Sequence, residues 1–441
     1  MAEPSRALAC DLISENFSIV SETLHIGGLS VPDLARRFGT PLFIYDLSIA
    51  RSKLAQLRSA LQGFADVFYS VKANPNQEVI RFFVNEGAGL EIASGAEYLR
   101  ARAAGCPPGR IFFAGPGKSD EELRLVLRER IGEIHLESFE EIDRLDVLAR
   151  AEGVRPHVGL RINPEMSAQG GAMRMGGRAA PFGFDEELLP EVVAEIEKRP
   201  SLHLQGVHLY SGTQILDADT LARQWRHGLH VARKMAGLRG RPLTTLDLGG
   251  GLGIPYFAGD RSLCLESLQG HVAELRAELA ATEELQGTSI VIEPGRYLIG
   301  PAGIYVCGVQ SWKVSRGSTF VVTDGGMHHH LAASGNLGQF VKRDYPVVPA
   351  TNLAANEFVQ CSVVGPLCTP LDTIGRDVAL PRMDRGDLVV VLQSGAYALS
   401  ASPNGFLSHP TPAEVIVEGG AAREVRPRGS FSAPLSQLPL A

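Results

Sequence analysis

Between about residue 43 and residue 297, short β-branched and aromatic runs alternate with helical stretches rich in Ala, Leu, Arg and Glu. This is the pattern of βα units around a parallel sheet. A lead-in strand is predicted at 43–46, then eight strands around 68–73, 90–94, 111–115, 134–138, 157–162, 206–212, 245–250 and 289–293. Eight such repeats predict an α/β fold built as a closed (β/α)8 barrel of the TIM type rather than an open doubly wound sheet. After Arg296 the texture changes to close-spaced β patterns at 304–309, 320–323, 358–364, 388–392 and 413–418, with few long helices. That predicts a separate C-terminal all-β domain. Residues 1–42, with a strand near 24–26 and a helix near 31–38, are expected to pack with it. The expected division is a barrel over 43–297, a β-domain over 298–425 joined by 1–42, and a loose Pro/Ser-rich tail over 426–441.

At 441 residues the chain exceeds the usual single-domain size, which agrees with two domains. The apolar fraction of 44% and charged fraction of 21% are ordinary for a globular protein, and a net charge of −7 offers no basic surface for nucleic acid. Six cysteines lie without CxxC or metal-ligand spacing, and no N-terminal stretch joins a basic region to an apolar one. A cytoplasmic, reducing setting is expected. No apolar run approaches the roughly 20 residues that span a bilayer, so no membrane partner is expected.

In a barrel of this kind the reactive groups sit where strands end. The first strand ends in Tyr69-Ser-Val-Lys-Ala-Asn74, which puts Lys72 in an apolar run. A lysine in a dry site loses its proton more readily and can attack an aldehyde carbon; a snorkelling lysine or a buried ion pair fits the same position. The seventh strand ends in Leu246-Asp-Leu-Gly-Gly-Gly-Leu-Gly253, whose glycines either leave backbone N–H groups open to a phosphate or simply punctuate a turn. The eighth ends in Ile292-Glu-Pro-Gly-Arg-Tyr297. A carboxylate there can hold a pyridinium nitrogen protonated, with Gly295 and Arg296 reaching a phosphate, or it can be an ordinary Glu–Arg pair. Farther on, Gly365-Pro-Leu-Cys-Thr-Pro-Leu-Asp372 sets a thiol in a Gly/Pro turn, and Ser394-Gly-Ala-Tyr397 follows a β run. Such a thiol is either inert or a proton donor to a carbanion.

In order and spacing these motifs resemble the ornithine/diaminopimelate decarboxylase family, the fold-type III enzymes with an alanine racemase-like barrel and β-domain, over roughly residues 20–420. The resemblance implies pyridoxal 5′-phosphate (PLP) as cofactor, with Lys72 as its Schiff-base lysine. It implies Glu293 at the pyridine nitrogen and Gly250, Gly251, Gly295, Arg296 and Tyr397 at the phosphate, with Thr213 nearby. Cys368 would protonate Cα across a head-to-tail homodimer with shared active sites, with Asp372 beside it. Glu91, Ser94 and Glu97 match the acidic segment near the lysine, and Tyr210 stands where most relatives have the histidine that covers the ring.

The departures bear on the substrate. Diamine-forming members carry an acid directly after the active-site Cys, where this chain has Thr369. Diaminopimelate enzymes grip a distal carboxylate with an Arg and a Tyr, where this chain has Ala332 and Asn336, and a further Arg position holds His409. His208 is expected to be structural. Of the consecutive histidines 328–330, which in a strand would alternate faces and not share one ion, His328 and His329 are expected to meet a substrate carbonyl. No metal site is expected. Gly115-Pro-Gly-Lys118 and Gly405-Phe-Leu-Ser-His-Pro-Thr-Pro412, with Phe406 at the substrate, look most like enzymes that decarboxylate a glutamyl- or aspartyl-type group held as a thioester on an acyl carrier protein. The rivals are a decarboxylase of a free amino acid such as diaminopimelate, a racemase, and a non-catalytic PLP-binding regulator.

Overall fold

The computed structural model describes residues 2–165, 173–174, 179–210, 212–337, 339 and 342–430. These residues form two units. One comprises Leu54–Ile254 and Ser262–Tyr297; the other comprises the chain up to Lys53, the segment Pro255–Arg261 and the residues from Leu298 onward.

The first unit is a closed parallel barrel. Its eight strands are Asp66–Ser70, Gly89–Ile92, Ile111–Phe113, Glu133–Leu136, His157–Asn163, His203–Leu209, Thr245–Asp247 and Ser289–Ile292. Each pairs in parallel with the next, and the eighth returns to the first at Val291↔Asp66 and Ile292↔Val67. Strands covered on both faces need apolar residues on both, so runs such as Ile111–Phe113 and Ile290–Ile292 are buried throughout. The connecting helices start on local signals. Ser119 and Glu122 form a reciprocal capping box before Asp120–Glu129, and Ser138 caps Phe139–Glu152, which stops at left-handed Gly153.

The second unit is a mixed sheet around the long strand Gly303–Ser315, which pairs with Ser318–Thr323, Leu388–Val391 and Leu42–Asp46. Leu42–Asp46, read from sequence as the lead-in to the barrel, therefore lies in this sheet, where it also pairs with Ala413–Glu418. Its Leu42 and Ile44 join Ile304, Val306, Val390 and Val415 in one apolar core. The helix Ala2–Asn16, which its weak amphipathic pattern hid, adds Leu8, Leu12 and Ile13 to that core. The strand Thr373–Leu380 also went unread, because Gly375 and left-handed Asp377 interrupt its alternation with a register shift. Most of the expected tail, 431–441, lies outside the described residues. Among the described residues no helix is long and apolar enough to cross a membrane.

One packing feature is testable here. Gly159 and Gly206 make room inside the barrel for the Glu133 carboxylate: a Cβ at Gly159 would sit 2.2 Å from Glu133 Oε1, and one at Gly206 would sit 2.7 Å from it. Gly159→Ala is expected to destabilise the protein by about 1–3 kcal/mol, the usual penalty of overpacking. Urea unfolding measures this, and an unchanged midpoint would contradict the packing described.

Candidate active site

Lys72 sits in the single 3-10 turn Val71–Ala73 that immediately follows the first barrel strand. Its ammonium donates to both oxygens of Glu91 at 2.9 Å, and Ser70 Oγ donates to Glu91 Oε2 at 2.6 Å. The lysine side chain is 44% exposed while that of Glu91 is 1% exposed. Lys72 is thus at the strand's mouth with an anionic partner, and not in the dry apolar run that the sequence suggested; the turn lifts it off the strand. Ser94 caps the next helix by accepting from Glu97 N. Half-buried Glu97 accepts from Ala93 N at 2.7 Å. Burial pushes its carboxyl up to about 7, and the negative charge of Glu91 adds to the rise.

The glycine run after the seventh strand is a crossing point for backbones. Gly249 is left-handed, and a Cβ there would lie 2.5 Å from Leu209 O and 3.1 Å from Tyr210 Cδ2; one at Gly250 would lie 2.5 Å from Glu293 O. Gly251 O accepts from Ile215 N at 2.9 Å, which clips the turn carrying Thr213 onto the glycines. Gly295 passes equally close to the lysine turn, since a Cβ on it would be 2.7 Å from Ala73 Cβ. Only glycine allows Tyr210, Thr213, Glu293 and Lys72 to converge on one barrel mouth.

Below them runs a buried polar column that sequence reasoning missed. Glu293 Oε2 lies 3.4 Å from His208 Nε2. His208 stacks on His135 at 4.4 Å, and His135 Nε2 lies 3.2 Å from Glu133 Oε1 and 4.0 Å from Asp247 Oδ2. His135 and Asp247 belong to the fourth and seventh strands, so their approach crosses the barrel interior. The signal was present in two forms: Glu133 and His135 alternate on one strand, and the glycines at 159 and 206 stand opposite. Donor atoms of His135, His208, Asp247 and Glu293 all lie within 4.8 Å of one another, a donor set a cation could also use. Lys118 of the Gly115–Lys118 motif is buried against Glu141 at 2.7 Å and the carbonyls of His135 and Gly115, so this motif braces the barrel.

The remaining sequence-predicted residues lie in the second unit. Cys368 is exposed on a turn held by Asp372, whose oxygens accept from Met327 N at 2.6 Å and Leu367 N at 2.9 Å. Gly326 and Gly365 leave the room for that carboxylate, since a Cβ on either would come within 2.3 Å of it. Thr369 Oγ1 accepts from Leu371 N within the same turn. Asn336 donates to Leu371 O at 3.0 Å and so ties the histidine segment to the cysteine turn. Histidines 328–330 occupy a turn, not a strand, and all three are buried. His329 is engaged by Tyr305 Oη and Pro410 O, and His330 by Ser394 Oγ and Ala333 N. His328 has no hydrogen-bonding partner among the described residues and faces His409 at 5.0 Å. Burial pushes His328 down to about 4, His329 to about 2 and His330 to about 3, so all are neutral at pH 7. Phe406 is 45% exposed, and Tyr397 holds a left-handed backbone.

Residues 48–300 match the family model described as pyridoxal-dependent decarboxylase, pyridoxal binding domain. The chain is 36% identical over 410 residues to an L-glutamyl-[BtrI acyl-carrier protein] decarboxylase of Niallia circulans, covering 92% of this chain and 95% of the relative. It is 30% identical over 409 residues to a diaminopimelate decarboxylase of Aquifex aeolicus, covering 92% and 94%. The fold is that of the diaminopimelate decarboxylase of M. jannaschii solved with L-lysine, with a TM-score of 0.89 at 23% identity, covering 97% of this chain and 98% of the other.

Glu97 generates a prediction of its own. Its folded value of about 7 lies above the ordinary 4.5, so the folded protein binds this proton more tightly than the unfolded chain. The stability it contributes is full below the ordinary value and is lost as pH rises toward about 7. Glu97→Gln should remove that slope, read as the difference between the two proteins' urea midpoints across the window. Parallel pH curves would contradict the assignment.

Proposed function

The chain belongs to the pyridoxal-dependent decarboxylase family, and from that premise we propose that it removes the α-carboxylate of a glutamyl- or aspartyl-type group carried as a thioester on an acyl carrier protein. One observation carries this choice of substrate. The segment 324–336, where diaminopimelate decarboxylases would set charged grips for a distal carboxylate, contains no lysine or arginine, and burial keeps its three histidines neutral. Ala332 is buried and Asn336 is committed to Leu371. A thioester has no distal charge, so it needs none of those grips; His329, expected from sequence to meet a substrate carbonyl, is committed to Tyr305 and Pro410, which leaves the neutral ring of His328 as the imidazole that suits one. The carrier-linked activity in the name of the Niallia circulans relative supports the same reading.

The cofactor is PLP, and the barrel mouth fits it. Lys72 offers an amine in a half-open site, Glu293 a buried carboxylate, and Gly250, Gly251 and Gly295 backbone positions that any side chain would close. When bound, PLP supplies the electron sink for the pair left behind by CO2. In this reading Lys72 holds the cofactor's aldehyde carbon, Glu293 its ring nitrogen, and Gly250, Gly251, Thr213, Gly295, Arg296 and Tyr397 its phosphate. Tyr210, whose ring passes close to Gly249, would cover a face of the cofactor ring. Glu91 holds the Lys72 side chain at the barrel mouth, where its amine would meet the cofactor's aldehyde carbon. The α-carboxylate leaves as CO2 and Cα gains a proton from Cys368 of the partner subunit. The exposed Cys368 turn supports donation across a homodimer, and Asp372 fixes that turn from beneath. His328 and Phe406 face the acyl portion. A cytoplasmic setting is part of the same proposal.

Lys72→Ala is expected to abolish both turnover and the visible absorbance of bound cofactor; a variant retaining both would remove Lys72 from its role. Cys368→Ala is expected to slow product formation by roughly 10²–10⁴-fold, the usual contribution of a positioned acid, while cofactor absorbance stays. CO2 release is to be compared for free glutamate, aspartate and diaminopimelate and for glutamyl- and aspartyl-carrier thioesters. The thioesters should be the productive substrates. Release from free diaminopimelate alone would overturn the substrate assignment.

A further inference from the structure

Barrels of this type normally fill their axis with layers of branched apolar side chains. Here the axis carries three carboxyls and two imidazoles, Glu133, His135, His208, Asp247 and Glu293, none more than 5% exposed. Burial of ionised carboxylates is costly unless each is compensated, and two neighbouring carboxylates in a dry site do not both ionise. Glu133 has a partner at one oxygen, Gln205 Nε2 donating to Oε2 at 2.8 Å, and the His135 ring beside the other, with Nε2 3.2 Å from Oε1 but no aligned hydrogen bond. Asp247 and Glu293 are neighbours that each keep one oxygen without a hydrogen bond. Asp247 Oδ1 accepts from Gly249 N at 2.8 Å, while Oδ2 is left in the cluster without a donor, as is Glu293 Oε1. An oxygen of Asp247 and one of Glu293 lie within 4.8 Å of each other, and a single proton held between the two carboxyls would remove their repulsion.

We propose that Asp247 carries this proton at neutral pH and donates it to Glu293, and that Asp247 and His208 are thereby positioning residues that keep Glu293 ionised toward the ring nitrogen of the bound cofactor. The inference rests on the reading of Glu293 as the residue that meets that nitrogen. The electrostatics run the same way. Burial, and then the charge of Glu293, push Asp247 well above the usual carboxylate range. Burial alone would raise Glu293 too, but His208, Lys72 and the hydrogen bond from Asp247 hold it below its ordinary value. His208 is pushed down to about 4 by burial, against the pull of Glu293 and with His135 and Arg161 adding to the fall, so a neutral ring faces Glu293 Oε2 at 3.4 Å. A pyridinium needs a fixed anion beside it, and a protonated Asp247 supplies the condition under which Glu293 is that anion. The glycine run then has a second duty, because the N–H of Gly249 fixes the orientation of Asp247.

Two spectroscopic readouts on the holoenzyme test this. The infrared difference spectrum of wild type minus Asp247→Asn at neutral pH should contain a protonated-carboxyl band, which removes the contribution that Glu97 makes to both proteins; a difference spectrum without that band would overturn the inference. With isotope-labelled cofactor, nitrogen NMR should place the pyridine nitrogen at its protonated position in the wild type and in Asp247→Asn, whose amide still donates. The resonance should move toward the unprotonated position in Asp247→Ala and His208→Leu. Wild-type resonances in both of those variants would end the positioning role, and if neither folds, the infrared arm decides. Glu293→Gln separates the two levels: a nitrogen that stays protonated there sinks the underlying reading of Glu293, whereas a shift there with none in Asp247→Ala sinks this inference alone. A stoichiometric divalent metal in the purified protein would also overturn it, since the same four donors would then be ligands.

Discussion

Keeping carboxylates inside a parallel barrel is the constraint on which the rest of the site depends. Glu293 and Glu133 lie in a region that the fold normally fills with Val, Ile and Leu, and each persists only with dedicated polar neighbours. That requirement reaches into the sequence at residues with no chemistry of their own. Gly159 and Gly206 vacate space for Glu133, and Gly249 both admits the close passage of Leu209 and donates to Asp247. The same logic holds at Glu91, which is buried but neutralised by Lys72 and Ser70. In the second unit Asp372, between Gly326 and Gly365, shapes the turn that presents Cys368.

The two units treat charge differently. The barrel mouth holds charge that is matched locally, as at Lys72 and Glu91. The histidine turn of the second unit is polar yet uncharged, because burial outweighs any gain from protonating its imidazoles. A charged grip discriminates for a charged end group; a neutral one discriminates against it, since an unpaired carboxylate or ammonium would lose its hydration without gaining a partner. The proposal of a carrier-bound substrate rests on that contrast rather than on any single contact.

Much of this was legible in the sequence. All eight barrel strands fell at the predicted places because each is a short buried run ended by a polar or glycine-rich mouth, and the family motifs sit on those mouths. What escaped detection did so for physical reasons. Leu42–Asp46 reads as one more buried strand, and nothing in its residues says which sheet it joins. Thr373–Leu380 hides behind a bulge. The polar column is assembled from residues on three strands and the loop after the eighth, most of them far apart in sequence, so no local motif announces it. His208 looked structural because it stands two residues from Tyr210; its contact with Glu293 emerges only when the barrel closes.

The central claim is that a family member with no charged grip for a distal end group acts on an amino acid tethered to a carrier. The most direct measurement is intact-protein mass spectrometry of a glutamyl-loaded acyl carrier protein after incubation with the PLP-loaded enzyme. The account predicts that the carrier loses the mass of one CO2 while its thioester stays intact. A carrier whose mass is unchanged, under conditions where the same enzyme decarboxylates a free amino acid, would contradict it.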